Sequence, residues 1–430
     1  MQHEERPFGF WMATALVVGG VIGAGIFVLP SQMAVFGWTG VAAWLLGGAG
    51  AIVIARVLAS VAEARPEEPG LMAVIGEVLG PIAGLINGWG AWVSYWCANA
   101  YIALTSVRYA SDLWPFLAKT PFHQAVGASM LIAGLTWLNL VGLKASGRFQ
   151  VVTTLLKLIP LVAVIVILAR LGLSDAGAFA VQPHAPFQPS GLFAATTLAF
   201  VAIIGFESAS IAAQRVRNPE RIVPLATMSG VVLSSLIYIV VCTGVSFILP
   251  QEAVAVSNAP IALFIGNYWG SWADHAVAAF AVISTVGGLN VWIMLQGEVP
   301  LALARAGMLP EWLARTNAGD IAAVPLVLAS ALSILILLVG GWTDGTGLMD
   351  LMLKLTAASG IWLYIFACLT ALKLGVRRIL SVLGLLFSTA ILYGAGLETV
   401  SLSLALMLAA LPLYYLAQRG RAAHAMDLAG

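Results

Sequence analysis

The sequence predicts an all-α polytopic membrane protein with about twelve transmembrane helices. Three observations predict it. Hydrophobic residues make up 61% of the 430 and charged residues only 9%, whereas soluble domains carry about 25% charged residues. So few charges cannot cover a water-exposed surface, so the solvent for most of that surface must be lipid. Apolar stretches near the roughly 20 residues that a spanning helix needs recur along the whole chain, with no low-complexity linker or soluble block between them. Finally, the Lys and Arg residues fall almost entirely in alternate connections.

The stretches run, in order, at about 10–35, 39–62, 81–112, 124–142, 149–171, 190–214, 224–249, 270–303, 323–341, 347–372, 379–396 and 399–417. The longest polar connections lie near 113–123, 172–189, 250–269 and 304–322. An even helix count puts both termini on one side. One set of loops then holds Arg6, Arg56, Arg65, Lys144, Arg148, Arg215, Arg217, Arg221, Arg305, Arg315, Lys373, Arg377, Arg378, Arg419 and Arg421. The other set holds only Arg108, Lys119 and Arg170. Cytoplasmic loops carry the excess of Lys and Arg, so both termini are expected in the cytoplasm. A slip of one helix would scramble that split. Residues 1–8 are short and polar, and no small-residue cleavage site closes the first stretch, so it reads as a retained helix.

Within this frame a few residues stand out. The first stretch contains Gly23-Ala24-Gly25. Three small residues in a row weaken a helix and permit unwinding. Freed backbone groups are tolerated at membrane depth only beside a cavity or ligand. A half-helix N-terminus suits a carboxylate, and unwound carbonyls suit an ammonium. The two together match the backbone of an α-amino acid. The sixth stretch echoes this break at Ile204-Gly205-Phe206. Paired interrupted helices in corresponding positions point to a transporter site at the midplane, although glycines also serve close helix packing.

In the third stretch, Ser94, Tyr95, Trp96 and Asn99 form a polar patch. Lys157 lies deep in the fifth, far from either end, where a fixed ammonium inside the bundle can stand in for a sodium ion. Glu207 lies deep in the sixth. An intramembrane carboxylate is a functional hypothesis by default, and here two roles are open: a proton-responsive group, or a carboxyl that hydrogen-bonds the unwound backbone. Asn290, Trp292 and Gln296 form a second polar patch in the eighth stretch, where Trp292 is too deep to be an interfacial anchor. It could gate a pocket or hold a cation on its ring face. Lys354 in the tenth stretch has Asp350 at i−4. That pair, snorkelling or a place in an outward vestibule are all compatible with its position.

Other classes fit poorly. Net charge is +1 and no basic run with interleaved aromatics occurs, which argues against nucleic acid. Cys97, Cys242 and Cys368 each sit in an apolar stretch without a CxxC neighbour and read as small buried hydrophobes. The five histidines form no cluster of metal-ligand spacing, so neither metal nor cofactor is expected. Neither a Ser-His-Asp set nor a phosphate loop supports an enzyme, and the sparse polar residues do not supply the continuous lining of a channel.

The stretch Gly20-Val21-Ile22-Gly23-Ala24-Gly25-Ile26-Phe27-Val28-Leu29-Pro30 resembles the first-helix signature of the amino acid–polyamine–organocation (APC) superfamily. Ile204-Gly205-Phe206-Glu207-Ser208-Ala209-Ser210, with Arg217-Asn218-Pro219-Glu220-Arg221 after it, resembles the sixth helix and its loop. Trp292 and the run from Gly297 to Ala306-Gly307-Met308-Leu309-Pro310 resemble the eighth helix and its exit. The likeness covers nearly the whole chain and looks closest to basic amino acid and polyamine antiporters of the arginine–agmatine exchanger type.

The resemblance implies a LeuT-type fold in one domain over 1–430. Inverted five-helix repeats would span about 10–171 and 190–372, with two further helices at about 379–417. It implies a secondary transporter, not an enzyme, that moves amino acids or their amine products by alternating access. The substrate carboxylate is expected at Gly23, Ala24 and Gly25, flanked by Ile22, and the ammonium at the Val21, Val201 and Ile204 carbonyls beside Gly205. The side chain is expected at Ser94, Asn99 and Trp292, and proton sensing at Glu207. In the exchanger, tryptophan stands at Val201 and serine at Ala24, and Lys157 is absent. That lysine resembles instead the fifth-helix lysine of sodium-independent permeases, which puts arginine specificity in doubt and supports sodium independence. A proton-coupled symporter or an exporter of neutral amino acids is the rival within the class. The expected partners are a small amino acid or polyamine, the lipid bilayer of a bacterial inner membrane and a second copy in a homodimer.

Overall fold

The computed structural model describes residues 6–23, 25–68, 70–174, 184–257, 259–270, 272–343 and 346–419, the side chains of 273, 274, 346–350 and 353 aside. Among these residues every regular element is helical, and the one β pairing is an isolated parallel bridge between Phe8 and Val216. The first stretch divides into α1 (Phe10–Val21) and α2 (Gly25–Ala34). There follow α3 (Trp38–Ala64), α4 (Leu71–Leu79), α5 (Pro81–Ser111), α6 (Pro121–Val141) and α7 (Leu143–Ser174). The sixth stretch divides into α8 (Pro189–Ile203) and the single turn α9 (Ser208–Ile211). Then come α10 (Pro219–Ile248), α11 (Gln251–Ala255), α12 (Pro260–Trp269) and α13 (Trp272–Arg305). The chain closes with α14 (Ala323–Trp342), α15 (Thr346–Leu374), α16 (Arg378–Gly394) and α17 (Leu397–Leu408).

The helix starts are written locally. Proline occupies the first turn of α5, α6, α8, α10 and α12, where its missing N–H costs nothing and its fixed φ suits the helix. Thr120 caps α6 by accepting the His123 N–H at 3.2 Å. Each of the twelve apolar stretches falls on helix. The connection at 250–269, expected to be polar, contains α11 and α12. Ile261, Ala262, Phe264 and Ile265 bury one face of α12, which packs on α2 and α13; its 10 residues are too few to span.

Nine helices among the described residues are long and apolar enough to cross a membrane, so the chain is a multi-pass membrane protein. α5 has the length at 31 residues but carries Asn87, Asn99 and, between them, Trp89, Trp92, Tyr95 and Trp96; α8 and α16 are apolar but shorter. The most apolar window of His275–Arg305 is 72% buried and that of Leu397–Arg419 only 22%, so the former is central and the latter peripheral. Large apolar side chains such as Trp137, Leu155, Leu335 and Leu386 face outward, a surface that only lipid can cover at modest cost. At the centre, α1 packs on α10, α7 and α13, and α5 packs on α13 and α15. These are the elements that carry the site.

Candidate functional site

The first helix breaks where its glycines allow it. Ile22 leaves the helical region with φ −84° and ψ 87°. The Gly23 N–H donates to the Val21 carbonyl at 3.1 Å, which makes an inverse γ-turn. Ala24 lies outside the described residues, and α2 resumes at Gly25. A helix end leaves carbonyls without intrahelical partners, and here side chains from three helices take them. Lys157 Nζ, from α7, donates to the Gly19 carbonyl at 3.2 Å and the Ile22 carbonyl at 2.6 Å. Trp292 Nε1, from α13, donates to Gly20 at 3.3 Å. The Tyr238 hydroxyl, from α10, donates to Val21 at 3.1 Å. Ser284 Oγ, from α13, donates to Gly23 at 3.2 Å.

The second break lies against the first. α8 ends at Ile203, and Gly205 adopts φ +118°, where side chains are disfavoured. A Cβ on Gly205 would lie 2.6 Å from the Gly20 carbonyl carbon, and one on Gly20 would lie 2.9 Å from the Gly205 oxygen. The two backbones therefore touch with no side chain between them. Glu207 is buried and its Oε2 accepts from the Gly205 N–H at 3.0 Å and from the Tyr364 hydroxyl at 2.7 Å. The Ser208 hydroxyl donates to the Gly205 carbonyl. Of the two roles open for Glu207, the hydrogen bond to the unwound backbone is visible in the geometry.

A cavity of about 190 Å³ opens beside both breaks. Val21, Gly23, Gly25, Val201, Ile204 and Trp292 line it, as do Gln32, Tyr101, Thr105 and Thr356. Its wall from Ala98 to Thr105 follows helical spacing on α5 (98, 101, 102, 105), and that periodicity is the signal by which Tyr101 and Thr105 were legible but missed. Asn99 is turned away from this face and donates from Nδ2 to Gln296 Oε1 at 2.7 Å. Ser94 sits one layer back and donates to the Thr356 carbonyl at 2.8 Å. Ile22 and Gly205 lie behind the lining, engaged with Lys157 and Glu207. Trp292 is braced edge-on by Tyr95, ring centroids 5.2 Å apart. Lys354 is exposed on α15, and the side chain of Asp350 lies outside the described residues.

At the Arg305 end of α13 lies a charge cluster. Arg215 Nε donates to Glu298 Oε1 and Oε2 at 3.2 and 3.0 Å. Its guanidinium also binds the Asp320 carboxylate and donates to the Asp320 carbonyl at 2.6 Å. Arg305 reaches Asp320 Oδ1 at 2.9 Å and Gln214 Oε1 at 2.8 Å. The Arg215 carbonyl accepts from the Phe8 N–H at 3.0 Å, so the segment before α1 is tied to the same point. Burial pushes the Asp320 carboxyl up, but the guanidiniums of Arg215 and Arg305 outweigh it and hold the group below the usual carboxylate range. A lowered folded-state value contributes stability above the unfolded value that is lost as pH falls through the folded one. At the other end of α13 lies a second cavity of about 340 Å³, lined in part by Phe27, Tyr109, Asp112 and His275.

A profile described as amino acid permease matches residues 8–419. The chain is 28% identical over 442 residues to the cadaverine/lysine antiporter of Escherichia coli (strain K12), covering 99% of this chain and 98% of that one. It is 28% identical over 370 residues to a putative arginine/ornithine antiporter of Bacillus subtilis (strain 168), covering 77% and 76%. It is 28% identical over 352 residues to the arginine/ornithine antiporter of Pseudomonas aeruginosa, covering 80% and 73%.

Proposed function

The chain belongs to the amino acid permease family and is a transporter, not an enzyme; from that premise we propose that it exchanges an amino acid for another or for an amine product, by alternating access around the two broken helices. The observation that carries this reading is the convergence of the α1–α2 and α8–α9 breaks on one cavity of amino-acid size. The printed names of the relatives, antiporters of lysine, cadaverine, arginine and ornithine, support a basic amino acid or its amine as substrate. Residues Val21 to Gly25, Val201, Ile204 and Gly205 form the backbone subsite; Trp292, with Ser94 and Asn99 behind it, reads the side chain.

On the same reading the fold is of LeuT type, with α5, the α8–α9 pair and α16 completing twelve spans and both termini in the cytoplasm. Proteoliposome uptake of labelled amino acids, tested with counter-substrate inside, decides the matter. Uptake that accelerates with internal counter-substrate is expected, and uptake indifferent to it would favour symport.

Lys157 replaces a bound sodium ion. The support is its ammonium between the Gly19 and Ile22 carbonyls, at 3.2 and 2.6 Å. Uptake should be unchanged when sodium is swapped for choline; a strict sodium requirement sinks this assignment. Glu207 couples the second break to protons through the Gly205 N–H. Glu207→Gln keeps one acceptor oxygen for that N–H but removes the titrating group, so the pH profile of uptake should flatten while the protein still folds. An unaltered profile leaves Glu207 a purely structural brace.

A further inference from the structure

The cavity at the end of α13 away from Arg305 is the larger of the two, about 340 Å³ against about 190 Å³, and has the size of a small-molecule pocket. Its wall draws on α2, α5, α12, α13 and the turn between α11 and α12. Phe27, Ile261, Leu263 and Val277 are among its apolar lining. Its polar groups belong to Tyr109, Asp112, Ser257 and His275, and no lysine or arginine occurs among the described residues that line it. We propose that this cavity is a second ligand site, separate from the amino-acid site, for a primary amine with an apolar body. The ammonium sits at Asp112 and Tyr109, and the body lies against Phe27 and α12.

Three observations call for a cation there. A carboxylate only accepts, and that of Asp112 is in no ion pair among the described residues. Asp112 also follows the last residue of α5, where the carbonyl end of a helix carries partial negative charge. The Tyr109 hydroxyl is buried and has no hydrogen-bond partner, which in a folded protein needs an explanation. It lies within electrostatic reach of Asp112, so one ammonium, with three donors, serves both groups. A ligand carboxylate would instead meet Asp112 at like charge, which selects an amine over an amino acid or an acid.

The two cavities share walls. Phe27 of α2 lines this one, while Val28, Leu29 and Gln32 of the same helix line the other. On α5 the stripe at 98, 101, 102 and 105 lines the first cavity and continues at helical spacing to 109 and 112 in the second. Phe27 and Tyr109 meet edge to face, ring centroids 6.1 Å apart, and tie α2 to α5. An amine seated here holds α2 against α12, and slows any step that moves α2 without entering the first cavity. The site stands whether or not the chain exchanges amino acids; its effect on uptake rests on that reading.

Labelled phenethylamine is the probe. Equilibrium dialysis against the full-length protein in detergent, with detergent alone as blank, measures its binding. Saturable binding is expected. Its Kd should rise about tenfold in Asp112→Asn, the worth of one hydrogen bond to a charged group, and recover in Asp112→Glu. Tyr109→Phe should weaken it less. The carboxylate of matching shape, phenylpropionate, should not displace it. Asp112 is exposed and Tyr109→Phe removes only an unpartnered hydroxyl, so both variants should fold. In proteoliposomes the amine should lower the maximal rate of amino-acid uptake with KM held, and should do so far less in Asp112→Asn. No saturable binding, an unchanged Kd in Asp112→Asn, or equal displacement by phenylpropionate overturns the site. Inhibition that raises KM alone puts the amine in the first cavity and overturns the hold on α2. Vesicles that take up no amino acid overturn the exchange reading, and the dialysis still decides the site.

Discussion

Arg215→Ala should lower the stability of the folded protein by roughly 3–5 kcal/mol, the cost of leaving a buried partner charge uncompensated. Glu298 is 2% exposed and Arg215 is its cation, at 3.0 Å. Removing the guanidinium strands the Glu298 carboxylate and also releases Asp320 from its strongest neighbour. The melting temperature in detergent measures the loss, and Arg215→Met combined with Glu298→Leu should recover most of it, because an apolar pair avoids the desolvation cost altogether. A single Arg215→Ala variant that melts with the wild type would show the cluster to be energetically idle. The same pair of variants bears on transport. The cluster joins the end of the sixth stretch and the segment before α1 to α13, so a bundle that opens at this end must part it. The double variant, stable but unlocked, should bind substrate less tightly from the opposite face.

Gly205→Ala should abolish transport to within detection, a loss of at least about a hundredfold, the scale expected when catalytic or binding groups are displaced by about 1 Å. Two effects combine. The backbone sits at φ +118°, where a side chain is strained by about 1–3 kcal/mol. The added methyl would also lie 2.6 and 2.7 Å from the carbonyl carbon and oxygen of Gly20, and backbone cannot rotate aside. Gly20→Ala, which meets Ser208 Oγ at 2.8 Å and the Gly205 oxygen at 2.9 Å, should be nearly as damaging. Gly23→Ala is the control, since a methyl there meets nothing within 4 Å; it should fold normally. Uptake by Gly205→Ala at the wild-type rate would mean that the contact between the breaks is not needed.

The helical frame was readable because lipid leaves a chain few options: apolar stretches of spanning length must be helices, and each falls on one. Both breaks were readable because small residues let a helix open and another backbone approach: Gly205 does the first and meets Gly20 in the second. The donors that hold the first break were not readable. Tyr238 and Ser284 are single hydroxyls in apolar sequence, and nothing local separates them from packing residues such as Ser246 or Thr370. Arg215 was legible only as a loop charge, because its partners Glu298 and Asp320 lie 83 and 105 residues away along the chain. Asn99 illustrates the limit of reading a polar patch without its face: one residue from Ala98, it points to Gln296 while Ala98, Tyr101, Ile102 and Thr105 meet the cavity. The short α11 and α12 were hidden by their length, which is helical but not spanning.

If Lys157 plays the part proposed for it, its ammonium, seated on the Gly19 and Ile22 carbonyls, is a cation that never leaves the protein. On the proposed exchange, each turnover then moves across the membrane only the difference in charge between the two solutes. An amino acid traded for another of equal charge is blind to membrane voltage. One traded for an amine that has lost its carboxylate moves one elementary charge, worth about 2.3 kcal/mol for every 100 mV. Voltage would set the direction of the second trade and leave the first to concentration alone.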